Sequence, residues 1–401
     1  MKSDRCQNNC CQSGSCSMSS FVEKLYPVNK PDDRMSLKDG EQARACSLPE
    51  IASIVELSLI GSMTKEEAIL AADPYSIGAI LRESKLIPRD ALDDPGKPER
   101  LLEWSDESRS LKIFAEDLAY PLEQAHRMTG LAGLMLLQEE NWLGSGHLKE
   151  IFEEWALQYA PDRFGTQLHP SIVLRERLLY RWKGHIETML HHLGDGDLSV
   201  ALVSGVDMMK EHPREAACLA DLRDIQLEAL FRASLACYRQ GMEHKLEILI
   251  PYPADMEEWT HMHELIERVA EETLCHQRRT VTYSIGAVIG MESGLELAAD
   301  LAKCADLLVL DCSGVGHSDH PWSQEKLENL RALVGRIRRV SPHIPLRASS
   351  LQNVADLAAL CQIGVREISS SPGVIPSFRL AAAQWELREA ANLEHRYSCE
   401  G

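Results

Sequence analysis

From Lys112 onward, short apolar runs alternate with longer segments of helical periodicity. The runs are LKIFAED (111–117), GLAGLMLL (130–137), SVALVSG (199–205), EILIPYP (247–253), TYSIGAVIG (282–290), DLLVLDC (306–312), IPLRASS (344–350) and VREISSS (365–371). They are near-continuously apolar rather than strictly alternating, the pattern of parallel strands buried on both faces. The segments between them carry helical stripes. In NVADLAALCQIG, residues Val354, Leu357, Ala358 and Cys361 fall at i, i+3, i+4 and i+7, and Gly364 supplies a stop. These units, spread over residues 111–395, predict an α/β fold of the (β/α)8 TIM-barrel type, which usually needs about 250 residues. A doubly wound sheet is the alternative, but the chain has neither G-x-G-x-x-G nor G-x-x-x-x-G-K-[ST].

Upstream the pattern changes. Residues 48–110 read as a short helical N-terminal extension followed by a linker. MTKEEAILAAD begins with Thr64 and has Glu67 three residues on, the signature of a capping box. Residues 88–110 are rich in Pro, Asp and Glu and read as the linker. Residues 1–47 are polar and aperiodic, and predict a disordered tail. Cys6, Cys10, Cys11 and Cys16 make that tail cysteine-rich without a paired C-x2-C knuckle.

Composition narrows the function. The net charge of −19 disfavours nucleic acid and anionic membrane surfaces as partners. No apolar run approaches a membrane span, and the N-terminus lacks the apolar core of a secretory signal, so the expected compartment is the cytoplasm. Cysteines such as Cys218, Cys237, Cys304 and Cys361 stand singly in apolar patterns and read as reduced core residues.

In a barrel of this type chemistry sits at the C-terminal ends of the strands. The polar residues expected there include Asp117, Ser204 and Ser369. The candidate ligand contacts are Asp311, Arg347, Ser349, Ser350, Ser370 and Ser371, which suit a small anion or a hydroxylated molecule. The competing reading is that the serines satisfy loop backbone groups. Cys312, His317 and His320 follow a C-x4-H-x2-H spacing in DCSGVGHSDHPW and form a candidate Zn²⁺ set. The spacing is not that of a standard zinc motif.

VREISSSPGVIPSFRLAAAQWEL (365–387) resembles the end of the C-terminal barrel of the PEP-utilising enzymes, pyruvate phosphate dikinase in particular. There the last strand enters a Ser-Cys-Ser-Pro turn, and the next helix contains Arg-Leu-Ala-Ala-Ala-Gln. FRASLACYRQGMEHKLEILIPYP (231–253) and MTKEEAILAADPYSIGAIL (63–81) are similar to two further family segments. The resemblance implies arginines that clamp phosphate and enolate, a Glu and an Asp that hold Mg²⁺, and a Cys that acts as acid and base. At those places this chain reads Leu136 on the second strand and Val203 on the third. It reads Gly290 on the fifth strand, with Glu292 two residues on, then Gly314 after the sixth and Arg347 on the seventh. The family Cys of the last turn is Ser370. Residues 89–110 are also too few to fold the phosphohistidine domain that the resemblance would place there.

The expectation is therefore a stand-alone barrel of the PEP-utilising type, not a complete dikinase. It would be a catalytically deficient paralogue with a binding or regulatory role and no Mg²⁺ site, and the resemblance implies a homodimer. One alternative is an enzyme with rebuilt, metal-assisted lyase or hydrolase chemistry on the Asp311–Cys312–His317–His320 loop. Another is residual PEP or pyruvate binding.

Overall fold

A computed structural model describes residues 48–83, 96–116, 130–136, 143, 146–159, 171–204, 215–291, 294–313 and 321–400. The cysteine-rich segment 1–47 lies outside the described residues, as do Asp117, Glu292, Gly314, His317 and His320.

The strands form one closed barrel in sequence order. They are β1 (Lys112–Glu116), β2 (Gly133–Leu136), β3 (Asp197–Ala201), β4 (Leu246–Pro251), β5 (Tyr283–Gly290), β6 (Leu307–Asp311), β7 (Leu346–Leu351) and β8 (Glu367–Ser370). Every neighbouring pair is parallel, and β8 closes on β1 with Phe114 opposite Ser369. The fold is a (β/α)8 barrel. All eight predicted strands are present, with one shift: β3 begins at Asp197 and ends at Ala201, so Val203 and Ser204 follow the strand.

Among the described residues four helices precede the barrel: α1 (Leu48–Leu59), α2 (Lys65–Ala71), α3 (Pro74–Glu83) and α4 (Lys97–Ser108). The helices α5 (Gly146–Ala156) and α6 (Ile172–Leu193) follow β2, and α7 (Glu215–Arg239) follows β3. Then α8 (Met256–Leu274), α9 (Leu295–Cys304), α10 (Gln324–Val340), α11 (Leu357–Ile363) and α12 (Ile375–Glu400) follow β4 to β8 in turn. Gly364 ends α11 at φ +98°, the stop that the sequence predicts.

Alternation within each strand separates two apolar layers. Ile113 and Ala115 pack outward against the helices, whereas Phe114 faces inward with Met135, Ala201, Leu249, Val288 and Val309. Burying a ring such as that of Phe114 contributes about 1.5–3 kcal/mol. The ring needs room from β2: a Cβ on Gly133 would lie 2.8 Å from Phe114 Cε1 and 2.1 Å from the Asp197 carbonyl oxygen.

The extension is part of the same body. Phe378 and Ala382 of α12 pack on the barrel, while Leu380 and Ala383 pack on Ile51, Ile69, Ile77, Leu101 and Trp104 of the extension. The alanines of RLAAAQ thus lie where one helix is shared by two layers. Gln384 donates from Nε2 to the carbonyls of Ile69 and Ala72, both at 2.7 Å. Glu386 accepts from the amides of Ser110 and Leu111 at 2.8 and 2.9 Å, fixing the entry to β1. The linker reading of 88–110 is corrected for Lys97–Ser108, which is helical and buries Leu101, Leu102 and Trp104. Thr64 caps α2 in the predicted capping box with Glu67. Among the described residues no helix is long and apolar enough to cross a membrane.

Candidate functional site at the barrel mouth

The strand period decides which side chains reach the mouth. Phe114 faces inward, so Glu116, two residues on at the end of β1, does too, and it is only 8% exposed. Glu116 Oε1 accepts the Ser369 hydroxyl and the Ser350 amide, both at 2.6 Å. The β8 serine and the β7 terminus are thereby gathered around one carboxylate.

Asp311 ends β6 and stands opposite Gly290 of β5 and Ser349 of β7. Its Oδ1 accepts the Ser313 amide at 2.9 Å. Its Oδ2 accepts the Tyr252 hydroxyl at 2.7 Å and the Ser313 hydroxyl at 2.9 Å. Burial, the hydrogen bond to Asp311 and the charges of Asp311 and Glu116 push the Tyr252 phenol well above its ordinary pKa. Burial, with Asp311, Glu116 and Asp356 adding to it, does the same to the Cys312 thiol. Both groups therefore stay protonated at neutral pH, and Cys312 is buried.

Backbone strain marks the same end of the barrel. Tyr252 and Ser350 have φ of +45° and +60°, two of the three non-glycine positive values among the described residues. Each lies at or just after the end of a strand. Such conformations cost about 1–3 kcal/mol and persist where the surroundings over-determine them, often at binding sites.

The structure thus brings Asp311, Ser349 and Ser350 to the mouth together with Ser369. It does not bring Arg347 there. Arg347 is the second residue of β7 and is 1% exposed in the lower half of the barrel. Its guanidinium donates to Glu247 at 2.9 Å, to Glu367 at 3.0 Å and to the Ser199 hydroxyl at 2.6 Å. It also stacks 3.4 Å from the Phe114 ring centroid. The strand-end position expected for Arg347 is corrected: it lies too near the start of β7, and its charge is matched by buried Glu247 and part-buried Glu367. Burial raises the Glu247 pKa, but Arg347, Lys245 and Ser199 more than offset this and hold it below the usual range.

Ser370 stands opposite Ala115, in the outer layer, and its hydroxyl donates to the Leu351 carbonyl. Ser371 is exposed, and its carbonyl accepts the Val374 amide at 3.1 Å in the turn before α12. Leu136 and Val203 also belong to the outer layer. The inward neighbours at those two strand ends are Met135 and Ala201. Sequence reasoning missed Glu116 and Tyr252. The period of β1 would have found the first, because Phe114 and Glu116 share a face.

Asp311 accepts three hydrogen bonds through its two oxygens, and Gly290 opposite it has no side chain to add a ligand. Among the described residues no cluster of three or more His, Cys, Asp or Glu is placed to hold a metal.

No family model matches the chain. It is 20% identical to pyruvate, phosphate dikinase 1, chloroplastic, of Arabidopsis thaliana, over 84% of this chain and 41% of that protein. The corresponding chloroplastic protein of Oryza sativa subsp. japonica is 20% identical over 72% of this chain and 37% of its own length. The pyruvate, phosphate dikinase of Giardia intestinalis is 24% identical over 43% of this chain. The chain thus spans about two-fifths of the length of the plant relatives it matches most extensively. Among solved structures, tryptophan synthase from M. tuberculosis aligns over 71% of this chain at 16% identity, with a TM-score of 0.34. The chain is a (β/α)8 barrel with distant sequence similarity to pyruvate, phosphate dikinases.

Proposed function

We propose that this chain is a PEP-utilising-type barrel without the family's phosphoryl and enolate chemistry, its mouth serving a binding or regulatory role. The observation that carries this reading is the fate of charge along β7. Arg347, which stands where the resemblance puts the family's Cys, is tied to Glu247 and Glu367 in the lower barrel and is spent on the scaffold. The inward groups at the ends of β2, β3 and β5 are Met135, Ala201 and Gly290, none of which can clamp a phosphate or hold a divalent ion. The groups gathered at the mouth are two carboxylates and a protonated phenol, with the buried hydroxyls of Ser349 and Ser369 behind them. An enolate oxyanion needs preorganised donors or cations at the point where its charge develops. Glu116 and Asp311 place negative charge there instead.

The test is enolate formation itself. Full-length protein is incubated with pyruvate and Mg²⁺ in D2O, and loss of the methyl proton signal is followed by NMR. The expected rate equals that of the buffer control. Exchange above the control that Glu116→Gln or Asp311→Asn alters would overturn the proposal.

A further inference from the structure

One end of the extension is tied to the mouth, not only to the barrel wall. Asp73 caps α3 by accepting the amides of Tyr75 and Ser76 at 3.3 and 3.1 Å, and Gln384 of α12 holds the preceding turn through the Ala72 carbonyl. From this fixed start Tyr75 donates to Asn353 Oδ1 at 3.4 Å. Asn353 lies in the loop after β7, and the same oxygen accepts the Ala355 amide at 2.9 Å. One turn on, Gly78 packs against the loop after β8. A Cβ there would lie 3.0 Å from Ser377 Oγ and 3.5 Å from the Gly373 carbonyl. The third link runs through Asp356, which is 5% exposed and accepts the Trp322 amide at 2.9 Å. Trp322 precedes α10, on the return from β6. Burial and the charges of Asp73 and Asp356 raise the Tyr75 pKa, so its hydroxyl remains a donor at neutral pH.

We propose that α3 is a positioning element for the mouth: through Tyr75 and Gly78 it holds the loops after β7 and β8, and through the Asn353–Asp356 turn the return from β6, in the arrangement that keeps Ser350 and Ser369 on Glu116. Ser350 explains why such a brace is needed. Its left-handed backbone is held only while its amide stays on Glu116 and the following turn stays in place. A shift of α3 pulls on the Asn353 end of that turn and on the Gly373 end of the next. The extension is thereby a handle on the site, and anything that binds or displaces it would be felt at the mouth.

Hydrogen exchange on the full chain tests this. Gly78→Val wedges α3 away from Ser377, and Tyr75→Phe removes the single hydroxyl. Amides 350–356 and 373–378 should exchange ~10-fold faster in the first variant and about 3-fold faster in the second. Amides 252–258, after β4 on the opposite side of the ring, should be unchanged. Linkage requires the reverse effect too, so Asn353→Ala should speed exchange within residues 75–80. If Gly78→Val does not fold, Tyr75→Phe and Asn353→Ala decide the matter. The proposal fails if exchange rises in α3 alone. It also fails if exchange rises equally at 252–258, which would mean general destabilisation.

Discussion

At the lower end of the barrel, Arg347 meets Glu247, Glu367 and Ser199 beneath the Phe114 ring, in relaxed strand geometry. At the upper end, Glu116 and Asp311 gather hydroxyls and amides around residues whose backbones are strained. The first cluster resembles a folding device. A buried charge is costly alone, and here two carboxylates and a hydroxyl accept from the terminal nitrogens of the guanidinium. The second holds strained backbone at Tyr252 and Ser350 and leaves the Tyr252 ring exposed beside Asp311. The contrast matches the division of labour in barrels of this type, where the lower face secures stability and the upper face carries function.

The contrast breaks most visibly at Arg347. Arg347→Met removes the shared partner of buried Glu247 and part-buried Glu367, which keep Lys245 and Lys112 as cations, and should lower the unfolding free energy by up to about 3–5 kcal/mol, measured by urea titration. Adding Glu247→Gln and Glu367→Gln to that variant should recover much of the loss. If Arg347→Met were neutral, the lower cluster would not be structural. The same cluster sets an acid limit. The folded-state pKa of Glu247 is depressed, so its contribution is complete above the unfolded-state value of about 4.3. It disappears as pH falls through the lower folded-state value, and the melting temperature of the wild type should drop across that window. Arg347→Met should flatten that dependence.

A smaller effect is expected at the mouth. Glu116→Ala leaves the Ser350 amide and the Ser369 hydroxyl without this acceptor and should cost about 1–3 kcal/mol in the same titration. The smallest effect has the opposite sign. Ser350→Gly relieves the φ of +60° and should raise stability by about 0.5 kcal/mol. A stabilised Ser350→Gly beside a crippled Arg347→Met would sharpen the comparison; a destabilised Ser350→Gly would show that its side chain supports the fold.

Much of the architecture was legible because the barrel strands announce themselves as apolar runs of the right length and spacing. Position along a strand was not. The run 344–350 nearly matches β7 (Leu346–Leu351); it is the resemblance to the family's Cys that puts Arg347 at the mouth, although it is the second residue of the strand. Which face a residue takes depends on register: the period of two sends Glu116 inward and Ser370 outward, although both sit in strands that were correctly found. The helix Lys97–Ser108 was hidden because its outer face is polar and Pro98 and the acidic residues dominate its composition, while Leu101, Leu102 and Trp104 lie inside. Tyr252 had no signal beyond the Pro-Tyr-Pro corner, because its role depends on Asp311, distant in sequence. The fidelity of the last turn to the family pattern reflects packing: Arg379 donates from Nε to Asp106 of α4 at 3.0 Å, and the alanines let α12 serve two layers.

If the proposed function holds, the mouth does not recognise PEP with Mg²⁺. Isothermal titration of the full-length protein with PEP in excess Mg²⁺ should then show no saturable heat up to millimolar ligand, and the melting temperature should not rise. Stoichiometric binding at micromolar concentration that is lost in Glu116→Gln or Asp311→Asn, both conservative changes at the mouth, would contradict it.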